Sequence, residues 1–115
     1  MSLQEKIRAA SDAKVERVNV PEWGFDVWMR CPSMERRSLV ETSIYNGEKR
    51  DTEHFHARWV ACCLCEENGA YVYDDPVAGA KELAGKSSAA VLRLYQHAKR
   101  LALLTDALIE ELGKN

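Results

Sequence analysis

Trp59-Val60-Ala61-Cys62-Cys63-Leu64-Cys65, followed at once by Glu66-Glu67-Asn68-Gly69, is the stretch whose reading decides the fold. Seven consecutive apolar residues, in a chain of which 30% is charged, must be buried on nearly every side. Read as a helix from near Thr52 to Glu67, the segment is polar only at its ends. His54, His56 and Arg58 precede the run, and Asp51-Thr52-Glu53 supplies a cap and an acidic first turn. A helix apolar all round belongs in the middle of a fold. Asn68-Gly69 followed by Ala70-Tyr71-Val72-Tyr73 keeps a β-hairpin open as the rival. Length favours the helix, because the segment exceeds an ordinary strand.

On the N-terminal side, Leu3, Ile7 and Ala10 fall at helical spacing, which predicts a brief helix over 3–11. Val18-Asn19-Val20 and Phe25-Asp26-Val27-Trp28-Met29 alternate as strands do, around the turn Pro21-Glu22-Trp23-Gly24. The pattern predicts a β-hairpin or small meander over 15–30, with Trp23 and Trp28 as packing residues. Ser33 is placed to cap a helix in which Met34, Leu39, Val40 and Ile44 make a loosely amphipathic pattern, with Arg36 and Arg37 as solvated charges and an anion site as their second reading.

On the C-terminal side, Asp74-Asp75-Pro76 starts a short helix that ends at Gly85. Ser87-Ser88 then caps what reads as one long helix to about Leu112, stopped by Gly113. Its stripe comprises Val91, Leu94, Tyr95, Ala98, Leu101, Ala102, Thr105, Leu108, Ile109 and Leu112. At ~1.5 Å per residue this helix would be roughly 35–40 Å long. A compact domain of this size has a radius of gyration of only about 13 Å. Its end is therefore expected to project, carrying Leu104, Leu108, Ile109 and Leu112, with Leu92 and Leu103 on another face. Those six residues form the candidate partner-binding surface. The alternative is a helix that bends back over the core.

The expected fold is mainly α with a small N-terminal β-hairpin (α+β): helices packed around a central buried helix, with a long C-terminal helix. The 115 residues make one domain, with the hairpin at 15–30 and the helical part at 33–115. A hydrophobic fraction of 46% allows a core without metal or disulfide staples. The formal net charge of -2 argues against binding nucleic acid by phosphate neutralisation. No apolar run approaches the roughly 18 residues that cross a bilayer, and no secretory signal is apparent. The chain reads as soluble and intracellular.

Cys31, Cys62, Cys63 and Cys65 raise a metal or redox reading, with His54 and His56 upstream. On a straight helix His54 would stand roughly 12 Å from Cys62, too far for ligands that must converge. Cys62-x-x-Cys65 would also lie near a helix C-terminus, whereas thiol-activating motifs use the N-terminus. Core packing is the plainer reading of the cysteines. A small Cys/His metal or redox protein built on His54, His56, Cys62 and Cys65 remains the alternative function. No phosphate loop, nucleophile elbow, His-Glu-x-x-His or acidic calcium loop is present, and no enzyme is expected.

Several patterns together resemble the tail assembly chaperones of long-tailed phages and prophages. They run Leu3-x-x-Lys6-Ile7-x-Ala9-Ala10, then Val18-x-Val20-Pro21-Glu22-Trp23-Gly24, Val27 and Arg30, and Ser33-x-Glu35-Arg36. Ala57-Arg58-x-Val60-Ala61-x-Cys63-Leu64-Cys65-Glu66-Glu67-x-Gly69 follows, and then Leu83-x-x-Lys86-Ser87-x-Ala89-x-x-x-Arg93-Leu94. The similarity covers nearly the whole chain. Cys62 and Tyr73 depart from it, where a larger aliphatic residue and a phenylalanine would be expected. The resemblance implies a non-catalytic protein that binds the tape measure protein and helps recruit tail tube subunits. It would act in the bacterial cytoplasm, without cofactor, and be absent from the mature virion. Self-association fits this role; nucleic acid and membrane do not enter it. The resemblance also implies a longer product made by ribosomal frameshifting, for which Lys114-Asn115 is the candidate site beside its reading as an ordinary polar tail. A structural subunit retained in the virion is a further rival.

Overall fold

The structure is a computed structural model that describes residues 1–113; the candidate frameshift site at Lys114-Asn115 lies outside the described residues. The chain runs α1 (Leu3–Ala9), β1 (Val15–Val20), β2 (Phe25–Arg30), α2 (Met34–Ile44), α3 (Phe55–Cys63) and β3 (Leu64–Cys65). It continues through α4 (Pro76–Leu83), α5 (Ser88–Leu101) and α6 (Asp106–Gly113). The mainly helical α+β class is as expected. The hairpin becomes a three-stranded antiparallel sheet in the order β1-β2-β3.

The central stretch satisfies both of its readings in turn. Residues 55–63 are helix, and every residue from Ala57 to Cys65 is buried. At Leu64 the backbone turns extended, with φ −64° and ψ 133°. Leu64 and Cys65 then pair with Met29 and Trp28 of β2. Cys65 also bridges Tyr71 across a turn in which Gly69 takes φ +91°. Helix and hairpin are therefore consecutive. The helix also begins later than Thr52. His54 is its N-cap residue in a left-handed conformation with no side-chain cap, while Asp51 accepts from the Glu53 N–H in the preceding turn.

Local caps follow the sequence closely. Ser33, Asp75 and Ser87 each accept from backbone N–H groups of the next helix, and Pro76 opens α4. Helix α4 ends at Leu83, two residues before Gly85.

The long C-terminal helix is the main correction. The run from Ser88 breaks after Leu101, because Leu103 adopts φ +57°. The Leu104 N–H then bonds back to the Lys99 carbonyl at 2.9 Å and the Leu103 N–H to the Arg100 carbonyl at 3.2 Å. This is the Schellman arrangement that glycine usually makes. Helix α6 folds back instead of projecting. Arg50 donates to the Glu111 carbonyl at 3.1 Å and to its carboxylate at 3.2 Å. Leu104 and Leu112 are buried, and Leu108 and Ile109 are half-buried against the core.

Arg36 and Arg37 are the second correction. Read as solvated charges, they instead close two helices. Arg36 is 8% exposed and donates to the carbonyls of Ala61 (3.1 Å), Cys62 (3.2 Å), Tyr73 (2.8 Å) and Asp74 (3.2 Å). It thereby satisfies carbonyls left open at the C-terminus of α3, where the helix dipole favours a cation. Arg37 donates to the Ala102 carbonyl at 2.8 Å, at the end of α5, and also pairs with Glu41.

Candidate functional site

Beside the sheet lies an open groove of about 460 Å³. One wall is the hairpin turn. The Trp23 and Gly24 N–H groups both reach the Val20 carbonyl at 3.0 Å, and Gly24 takes φ +76°, a conformation that suits glycine. The turn sets the Trp23 ring 5.9 Å from that of Phe25, tilted by 33°. Trp23 is thus half core and half groove wall, and Phe25 is 56% exposed.

The opposite wall comes from α4 and the segment before it. A Cβ at Gly79 would lie 2.4 Å from the Tyr73 ring, so only glycine lets that ring pack flat on the helix. The Tyr73 hydroxyl donates to Glu82 at 2.9 Å. Burial, followed by this carboxylate, pushes the Tyr73 hydroxyl up to about 12, so the ring stays neutral. Leu83 closes the wall, and Val72, 44% exposed, sits at the mouth.

Charge around the groove is uneven. Asp26, Glu66 and Glu82 line it beside one cation, Lys86. Asp26 already pairs with Arg17 at 2.5 Å and accepts from Asn19 at 2.8 Å; these bonds hold its carboxyl below the usual range. That leaves Glu66 and Glu82 against Lys86.

Distant motifs also meet outside the groove lining. Glu22 of the Pro-Glu-Trp-Gly turn is held in a fork by Arg93 of α5, with contacts of 2.8, 3.0 and 3.3 Å. The Arg93 guanidinium keeps the Glu22 carboxyl below its ordinary value. Two guanidinium groups lie over the Tyr71 ring, Arg36 at 3.8 Å and Arg30 at 4.6 Å from its centre. Its hydroxyl accepts from the Ser33 N–H at 2.9 Å.

The residues of the metal or redox reading stay apart. His54 sits at the exposed start of α3, while Cys62 is buried in its last turn. His56 stacks edge-on against Tyr95 at 4.6 Å, and desolvation lowers its pKa. Among the described residues no group of three or more His, Cys, Asp and Glu is placed to hold a metal ion. Cys62 and Cys63 are neighbouring buried thiols, and their mutual interaction, with burial, drives the Cys63 thiol up.

Of the six leucine and isoleucine positions expected to form a partner surface, Leu92 and Leu103 are exposed, at 45% and 75%. Leu104 and Leu112 belong to the core, and Leu108 and Ile109 lean on it. The groove itself was missed. Its aromatic residues were visible in the sequence, but their shared lining depends on where β3 stops. No helix among the described residues is long and apolar enough to cross a membrane. Comparison with protein-family models, curated proteins and solved structures finds no match.

Proposed function

We propose that this chain is a tail assembly chaperone, a non-catalytic protein that holds a tape measure protein and helps bring tail tube subunits to it in the bacterial cytoplasm. The observation that supports the reading is the open groove beside the sheet, lined by Trp23, Phe25, Trp28 and Tyr73, a shape and chemistry suited to an apolar protein segment. Further support comes from how the quoted motifs assemble. The Pro-Glu-Trp-Gly turn is locked to α5 by Glu22 and Arg93, and Ser33-x-Glu35-Arg36 closes the central helix. A long helical client presents apolar stripes that need cover until the tube encloses it. An open apolar groove and the exposed Leu92 and Leu103 offer such cover through reversible contacts.

The test is co-expression with the tape measure protein from the same genome. The expected result is a soluble complex that elutes together on size exclusion. A tape measure protein equally insoluble with and without the chain, and no complex, would overturn the reading. Leu103→Asp tests the surface, because Leu103 is 75% exposed and its loss should weaken the complex with the fold intact, whereas Leu104→Asp would act by unfolding the core.

A further inference from the structure

Strand β2 runs from Phe25 to Arg30, whereas β3 pairs with Trp28 and Met29 alone. On that side Phe25, Asp26 and Val27 have no neighbouring strand among the described residues. Successive residues of a strand direct their N–H and C=O groups to alternate edges, so this stretch presents main-chain donors and acceptors to the open side. The same three residues line the groove, beside Leu64, Cys65 and Glu66 where β3 ends.

The groove is therefore an apolar trough with an unfinished sheet edge along its floor. A helix laid there would leave those main-chain groups unpaired and, with water excluded, unsatisfied. An extended segment would pair with them while its alternate side chains met Trp23, Phe25 and Val72. Charge narrows the choice further. Asp26 is answered by Arg17, and the remaining Glu66 and Glu82 outnumber Lys86 by one.

We propose that this edge takes up a short extended segment of a partner protein by strand addition, with alternating apolar side chains seated in the groove and a lysine or arginine turned toward Glu66 and Glu82. The inference deepens the client-binding reading and rests on it for the partner being a protein.

The test screens the full chain against a display library of short random linear peptides. Enriched peptides are then synthesised and bound to the protein while amide exchange is followed by NMR. The expected winners alternate apolar residues around a Lys or Arg. At saturation they slow exchange within Phe25–Val27 by about tenfold or more. N-methylation of the peptide amides on the edge-facing side should abolish binding, and methylation on the other side should spare it. Phe25→Asp and Val72→Asp, both at exposed positions, should weaken binding about tenfold with the circular dichroism unchanged. Peptides that bind as helices, that bind equally well after both substitutions, or that fail to enrich would overturn the proposal. A tape measure complex indifferent to Phe25→Asp would sink strand addition and leave the chaperone reading. Edge-binding peptides without any tape measure complex would do the reverse.

Discussion

Helices α3 and α5 both end against neighbouring arginines of α2, and the two endings differ in kind. At α3 the guanidinium of Arg36 is buried and serves four carbonyls drawn from the helix and from the segment before α4. At α5 the backbone closes its own last turn through Leu103 and Leu104, and Arg37 adds one bond to Ala102. The first ending is built by the tertiary fold and the second by local chain geometry. Removing a side chain should therefore damage them unequally.

Arg36→Ala is the most severe way to break that contrast. It strips the donors from buried carbonyls and should cost about 3 kcal/mol or more, read as a lowered urea midpoint. Arg36→Lys should recover less than half of the loss, because an ammonium cannot span carbonyls set in a fork. If Arg36→Ala unfolds at the wild-type midpoint, the closure of α3 does not depend on this residue. Next in size is Arg37→Ala, expected to cost about 1 kcal/mol, since one carbonyl is lost while the Schellman turn remains. Equal costs for the two arginines would erase the distinction. The smallest effect carries the opposite sign. Leu103→Gly should stabilise by about 0.5 kcal/mol, because glycine accepts φ +57° without strain and an exposed leucine gives up little packing. A loss of stability there would mean that the leucine is held in place by contacts worth more than the backbone strain.

These endings also mark what the sequence could tell. Ser33, Asp75-Pro76 and Ser87 announce helix starts because a cap acts within three residues of itself. The hairpin over 15–30 was legible for the same reason, through alternation and a Pro-Glu-Trp-Gly turn. Arg36 was not, because its burial is set by carbonyls 25 to 38 residues away along the chain. Leu103 hid the break in the C-terminal run, since a leucine in a left-handed conformation leaves no glycine to read and the apolar stripe continues through it. The aromatic lining of the groove lay between these cases. Trp23, Phe25 and Trp28 stood out individually, but it is the two-residue length of β3, paired with Trp28 and Met29 alone, that leaves the sheet edge open at Phe25, Asp26 and Val27.

The two endings should also form at different times. The turn at Leu103 joins residues five apart, so it can close while the rest of the chain is still searching. The four bonds of Arg36 need α2, α3 and the segment at Tyr73-Asp74 already in place, and loop closures of that span come late. Helix α3 should accordingly spend much of the folding reaction frayed at Cys62. In stopped-flow experiments Arg36→Ala should speed unfolding and leave refolding almost unchanged. A refolding rate that falls in step with stability would place that closure in the folding nucleus instead.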